Sequence, residues 1–341
     1  MKLLLLGGAR FLGRHTIDSA IARGHEVTVF NRGSNNAGLP VEVEVLTGDR
    51  DGKMDALRGR TWDAVIDTSG YLPRIVGEGA ELLAGARHYT FVSSVSVYTS
   101  FSIPKMDETG PVGELEDPKV EGITGATYGP LKVLCEREVE RRFPGRAAMI
   151  RAGLIVGPRD DIGRFTYWVK RVAKGGEVLA PGRPERRIQV IDARDIADWM
   201  VKLAEEGRAG VFNTTGPDRP LTMGEFLREC QRVSGSDARL TWVSDQFLAE
   251  HKVGPWGDMP IYLPEDDAEH RYFADINVSR AIEAGLRFRP LEDSIRATLD
   301  WTEPPRPRDF SVAIPPPGIS PEREAELLRL WHEVQALGKA H

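Results

Sequence analysis

Two periodicities alternate along the first half of this chain, and that alternation restricts its fold more than any other feature. Residues 3–6 are four consecutive leucines, a run suited to a strand buried on both faces, and glycines follow at once. Over residues 11–22, Phe11, Leu12, Ile17, Ala20 and Ile21 fall on one face of a helix. Residues 25–30 read as a second strand, ending in Asn31-Arg32-Gly33. Val41, Val43 and Val45 alternate with Glu42 and Glu44, the pattern of a strand near a sheet edge with one face in water. Further strands are predicted over 63–67, 88–94 and 146–154, with helices over 74–84 and 127–143. Such alternation predicts an α/β fold, a doubly wound parallel sheet with helices on both faces. Folds of this kind bind ligands at the carboxyl ends of their strands.

Beyond residue 155 the pattern loosens. Helices are expected over 162–174, 193–205, 222–233 and 293–301, with short strands over 188–191 and 211–214. This predicts a smaller C-terminal lobe that takes the substrate. The expected domains are 1–160, with 187–215 returning to it, and a substrate lobe of 161–186 and 216–303. Residues 304–341 form a Pro-rich linker and a final helix over 321–337 capped by Ser320. Loops 101–125 and 244–269 are expected to set substrate choice.

Lys and Arg number 45 against 51 Asp and Glu in 341 residues, a net charge of −6. That balance gives no general drive toward nucleic acid. The opening MKLLLLGG has too short an apolar run for a signal peptide or a membrane span, so a cytoplasmic protein with no membrane partner is expected. Two cysteines, Cys135 and Cys230, cannot build a disulfide framework, and the seven histidines show no metal-ligand spacing.

Gly7-Gly8-Ala9-Arg10-Phe11-Leu12-Gly13 joins the first strand to the first helix. Gly7 suits the tight turn and Gly13 a close approach of helix and strand, so the helix N-terminus between them is a candidate cradle for a dinucleotide pyrophosphate, as in Rossmann folds. The second strand ends in Asn31 and Arg32 rather than an acid. Arg32, with Arg10, is suited to a ribose 2′-phosphate, which favours NADP(H) and leaves NAD(H) open. Asp49 and Arg50, after the third strand, are candidates for the adenosine end of the cofactor.

Tyr128 and Lys132 lie four apart and share a helix face. An ammonium beside a phenol is expected to lower its pKa, and a lysine can also hold ribose hydroxyls. A phenol tuned in this way serves as acid or base at a carbinol or carbonyl. Ser94, near the end of a buried strand, is placed to hydrogen-bond the substrate oxygen. Tyr71 and Arg187 are candidate substrate residues, while Cys135 reads as core.

In this order, Gly7–Gly13, Asp49, Ser94, Tyr128 with Lys132, RAGLIVGP from Arg151 and RIQVIDARDIA from Arg187 resemble the extended or atypical short-chain dehydrogenases/reductases of the NAD-dependent epimerase/dehydratase group. Arg10 stands where that family has a middle glycine, as in the subgroup resembling chloroplast stem-loop-binding proteins. The resemblance implies hydride transfer at a sugar or alcohol carbon by an oxidoreductase or epimerase. Tyr128 would be its acid/base, Lys132 its partner and Ser94 the oxyanion-side donor, and a homodimer is implied. Asp67-Thr68-Ser69-Gly70-Tyr71 departs from the family's usual segment, and Arg151-Ala152-Gly153 lacks the asparagine that nucleotide-sugar epimerases often use. An RNA-binding or cofactor-sensing regulator on the same fold is the alternative.

Overall fold

A computed structural model describes residues 1–302 and 316–338. The described chain divides into two compact units. Unit 1 comprises Met1–Ile155, Val190–Asp218 and Ile276–Phe288, and unit 2 comprises Val156–Gln189, Arg219–Asp275 and Arg289–His341.

Unit 1 is built on a seven-stranded sheet of β1 (Lys2–Leu6), β2 (Glu26–Asn31), β3 (Glu44–Thr47), β4 (Ala64–Asp67), β5 (His88–Ser94), β6 (Ala147–Ala152) and β7 (Gly210–Thr214). Its spatial order is β7-β6-β5-β4-β1-β2-β3, and every pairing is parallel. Leu3 to Leu6 are at most 1% exposed, as a strand covered on both faces requires. Alternate side chains feed two cores. Leu3, Leu5, Val29 and Ile66 pack with α1 (Phe11–Ala22) and with the helix Ala193–Glu206, whereas Leu4, Leu6, Val65 and Phe91 pack with α2 (Pro73–Leu82) and α3 (Gly125–Arg142). The chain leaves β1 toward β2 and β3, then returns to β4 on β1's other side. That reversal opens a crevice at the carboxyl ends of β1 and β4, the usual ligand position in such sheets.

Several boundaries differ from expectation. β3 is the edge strand, but it begins at Glu44, and Val41 is 94% exposed in the preceding turn. The strand expected over 188–191 is two short ones, Arg187–Ile188 and Ile191–Asp192. The segment Ile276–Phe288, expected in the substrate lobe, packs on unit 1. Ala281, Ala284 and Leu286 join the core around Phe212, and the Asn213 side chain donates to the Asn277 carbonyl at 3.2 Å. Trp199 donates its indole N–H to the Ala284 carbonyl of this segment.

Unit 2 packs the helices Arg164–Ala173 and Met223–Ser234 through stacked Phe165 and Phe226, with ring centroids 4.9 Å apart. Two strand pairs complete it, parallel Glu177–Pro181 with Arg239–Val243 and antiparallel Arg187–Ile188 with Leu221–Thr222. Within the expected loop 244–269 lies a short helix, Asp245–Glu250, capped by Ser244. The last helix, Pro321–Gly338, docks in unit 2 rather than standing apart. Buried Glu324 accepts from Arg171 at 2.6 Å and from the Leu179 N–H at 3.1 Å, and Trp331 meets Phe247. The linker prolines 304, 305, 307 and 315 lie outside the described residues. No helix among the described residues is long and apolar enough to cross a membrane.

Candidate functional site

The glycine loop has the geometry its sequence implies. Gly7 and Gly8 take φ of +95° and +80°, values that side chains other than glycine's rarely adopt. A Cβ at Gly7 would lie 2.9 Å from Ser69 Cβ and Thr68 Oγ1, and one at Gly13 would enter the Gly8 backbone. Arg10 occupies the N-cap of α1 without a side-chain cap bond. Leu12 is buried and Phe11 half-buried, both against the core beneath α1. A cradle closed to any Cβ at the end of β1, facing an uncapped helix start, matches what a pyrophosphate needs.

At the adenosine end the expected residues are differently employed. Asn31 spends its side chain on its own turn, donating to Asn36 Oδ1 at 2.7 Å and accepting from the Gly33 N–H at 2.7 Å. Arg32 is exposed and Arg10 half-buried. Asp49 accepts from the Asp51 N–H at 3.0 Å, closing the turn after β3. Arg50, expected at the cofactor, instead forms a buried bidentate pair with Asp67, both bonds 2.7 Å. A planar guanidinium matches a carboxylate in this way wherever the fold buries both.

Ser94 ends β5, and its Oγ accepts from the Ser96 N–H at 3.1 Å. The helix α3 starts at Gly125, two residues earlier than expected, behind a capping box of Thr124 and Thr127. Pro130 therefore lies inside the helix, past the free first turn. Gly129 lets this part of the helix close on the sheet, since a Cβ there would collide with the Ser96 carbonyl. As a result the half-buried Tyr128 is brought near Ser94, whose hydroxyl acts to lower the phenol's pKa.

Lys132 is buried and turned into the sheet. Its Nζ donates to the Gly70 carbonyl at 2.6 Å and the Val92 carbonyl at 2.8 Å. The Tyr71 ring covers it at 4.7 Å, and Tyr71 lies 6.5 Å from the Tyr128 ring, centroid to centroid. Burial lowers the Lys132 pKa to about 8. The expected depression of the Tyr128 phenol is not found. Burial pushes it up, Tyr71 adds to the rise, and only the nearby Ser94 hydroxyl opposes it. The reason is that Lys132 directs its ammonium to two backbone carbonyls rather than to the phenol. Cys135 is fully buried with its thiol pushed up to about 12, which fits a core residue.

Sequence reasoning missed a second buried pair that holds α3 in place. Arg151 on β6 donates to Glu136 on α3 at 2.9 and 3.1 Å, and also to Tyr98 Oη and the Glu108 carbonyl. Gly129 could have been noticed, because a glycine is costly in a helix interior and a close contact explains its presence.

In unit 2, Arg187 donates to Asp275 at 2.7 Å and remains half exposed. It lines a cavity of about 520 Å³ with Arg183, Arg186, Trp256, Arg271 and Phe273. Among the described residues, no group of three or more His, Cys, Asp or Glu side chains could hold a metal ion.

No protein-family model matches the chain. A chloroplast stem-loop binding protein of 41 kDa (form b) from Arabidopsis thaliana is 25% identical over 294 residues, 79% of this chain and 73% of that protein. Among solved structures, UDP-glucose 4-epimerase from Thermotoga maritima with UDP-glucose is similar at a TM-score of 0.63 and 18% identity, covering 88% of this chain and 98% of that one. The Bordetella bronchiseptica enzyme WbmG in complex with NAD gives 0.64 and 17%, over 88% and 93%. UDP-glucose 4-epimerase from Bifidobacterium longum with NAD⁺ and UDP gives 0.61 and 19%, over 88% and 98%. The chain thus shares the fold of these solved structures, a doubly wound parallel sheet of the Rossmann type, with its glycine loop, serine and tyrosine–lysine pair carried on that scaffold.

Proposed function

We propose that this protein is an NAD(P)-dependent oxidoreductase or epimerase acting at a secondary alcohol or keto carbon of a sugar-like or other small substrate. The observation that carries this reading is the contact of Tyr128 with Ser94 at the end of β5, in the same unit as a glycine loop fit for a dinucleotide. A nicotinamide, when bound, supplies or accepts the hydride. Ser94 and Tyr128 hold the substrate oxygen, and Tyr128 moves its proton. With its pKa pushed up, the phenol is protonated at neutral pH, so this site is set to give a proton to a developing alkoxide. Lys132, covered by Tyr71, is the residue suited to the nicotinamide ribose, and Tyr71 is suited to line the substrate position. We also assign the arginine-rich cavity of unit 2, lined by Arg187, to the binding of an anionic ligand.

For the cofactor we favour NADP(H) over NAD(H), because β2 ends without a carboxylate and Arg32 is exposed beside it. The NAD complexes of similar structures are the argument for the other choice. Calorimetric titration with both nucleotides tests this. Tight NADP⁺ binding that weakens at least tenfold in Arg32→Ala is expected, whereas NAD⁺ preference removes the arginine argument. Tyr128→Phe should then keep nucleotide binding and lose at least a hundredfold in turnover, within the usual range for a general acid.

The name of the Arabidopsis relative, a stem-loop binding protein, supports a second reading, an RNA-binding protein on the same fold. The net charge of −6 and the Ser94–Tyr128 contact weigh against it. RNA binding with a steep salt dependence, unaffected by Tyr128→Phe, would move that reading ahead.

A further inference from the structure

The segment from Asp67 to Tyr71 touches both halves of the candidate site. At one end Thr68 donates its hydroxyl to the Leu6 carbonyl at 3.2 Å, accepts from the Gly8 N–H at 3.4 Å, and with Ser69 fills the space beside Gly7. At the other end the Gly70 carbonyl holds Lys132 at 2.6 Å, and the Tyr71 ring covers the same ammonium. Gly70 is itself wedged, since a Cβ there would meet Phe91 and Val76 at 2.6 and 2.7 Å. Asp67, fully buried at the end of β4, anchors this segment. It accepts from both Arg50 terminal nitrogens, from Tyr89 Oη at 2.8 Å and from the Ser69 N–H at 3.0 Å. Arg50 reaches Ser69 Oγ as well, at 3.3 Å.

Burying two charges costs desolvation that their attraction only partly offsets, so such a pair contributes little net stability beside an apolar replacement. What it fixes is direction, since a bidentate guanidinium holds a carboxylate in one plane. We infer that Arg50 is a positioning residue: by gripping Asp67 and Ser69 it sets the Gly70 carbonyl on which Lys132 is held, and so couples the glycine loop to the lysine. The inference deepens the proposed function, because it gives Lys132 a fixed place in the site.

The test reads Lys132 directly in the nucleotide-free protein, so it stands whether or not a dinucleotide binds. Trace acetylation with acetic anhydride, followed by mass spectrometry of each lysine, measures the reactivity of Lys132 against exposed Lys53 and Lys174. In the wild type, Lys132 should react at least tenfold more slowly than these two and titrate near pH 8. The groups acting on its charge are Cys135, Asp67, Arg50 and Glu136. In Arg50→Met/Asp67→Asn one positive and one negative charge disappear together; Asp67 acts on Lys132 more strongly than Arg50, so their loss alone would lower the midpoint, and a raised midpoint reports position. The expected result is at least a fivefold rise in labelling and a midpoint moved toward the ordinary lysine value. Arg50→Lys should recover this only in part, since a point charge cannot make two parallel bonds. A double variant that melts within a few degrees of the wild type, with Lys132 labelling and midpoint unchanged, overturns the inference. If the double variant does not fold, wild-type labelling in Arg50→Lys overturns it equally. Failure of nucleotide binding with Lys132 behaving as expected would instead count against the proposed function alone.

Discussion

Charge is handled differently in the two units. In unit 1, Arg50 and Asp67, Arg151 and Glu136, and Lys132 with its two carbonyls are all buried, and each group has fixed partners. In the unit 2 cavity, Arg183 meets Glu265 and Arg187 meets Asp275 where water still reaches them. A buried ion cannot exchange partners without a large desolvation cost, whereas a half-exposed one does so readily. The first arrangement suits a reaction that needs one geometry. The second suits recognition of an anion, where a guanidinium must leave a carboxylate to meet a ligand.

The sharpest way to break this contrast is to cut one charge from each unit. Arg151→Met leaves Glu136 buried without its partner and should cost roughly 3–5 kcal/mol, readable as a large loss in a thermal or urea unfolding midpoint. A loss below about 1 kcal/mol would show that water reaches this pair as well, and the contrast would fail. A second, smaller effect concerns His88 on β5, which is 1% exposed and whose pKa burial lowers to about 4. Because the unfolded histidine titrates near 6.5, the unfolded state binds the extra proton first as pH falls. His88 therefore contributes stability that is present above pH 6.5 and is lost between about pH 6.5 and 4, on the order of 3 kcal/mol. His88→Leu should flatten that part of a stability–pH profile, and an unchanged slope would refute the assignment. The smallest effect is expected in unit 2. Arg187→Ala should change stability by less than about 1 kcal/mol, while weakening the binding of inorganic pyrophosphate to this cavity in a calorimetric titration. Were it to destabilise as strongly as Arg151→Met, Arg187 would be structural.

The alternating strands and helices of unit 1 were legible because apolar runs and helical faces are local properties of sequence. Ser94 could be marked as a candidate from its place near a strand end, Tyr128 from its spacing to Lys132, and the glycine loop from its place between strand and helix. Lys132 was marked too, but not its partners, since the Gly70 and Val92 carbonyls lie 62 and 40 residues away. The same holds for Arg50. Its sequence neighbours suggested a cofactor ligand, and only the folded sheet reveals that its side chain reaches Asp67, 17 residues on at the end of β4. Residues 276–288 escaped because their one helix, Ser279–Glu283, spans five residues, too few to display a period.

The burial of both cysteines has a practical side. Cys135 and Cys230 are the chain's only two, both are fully buried, and burial pushes both thiols well above their ordinary range. At neutral pH neither presents a reactive thiolate. A cysteine introduced at an exposed position, such as Val41 in unit 1 or Leu337 in unit 2, would therefore be the single fast-reacting thiol. The wild-type chain can serve directly as the background for spin or fluorophore attachment, without first removing a native sulfur from either core.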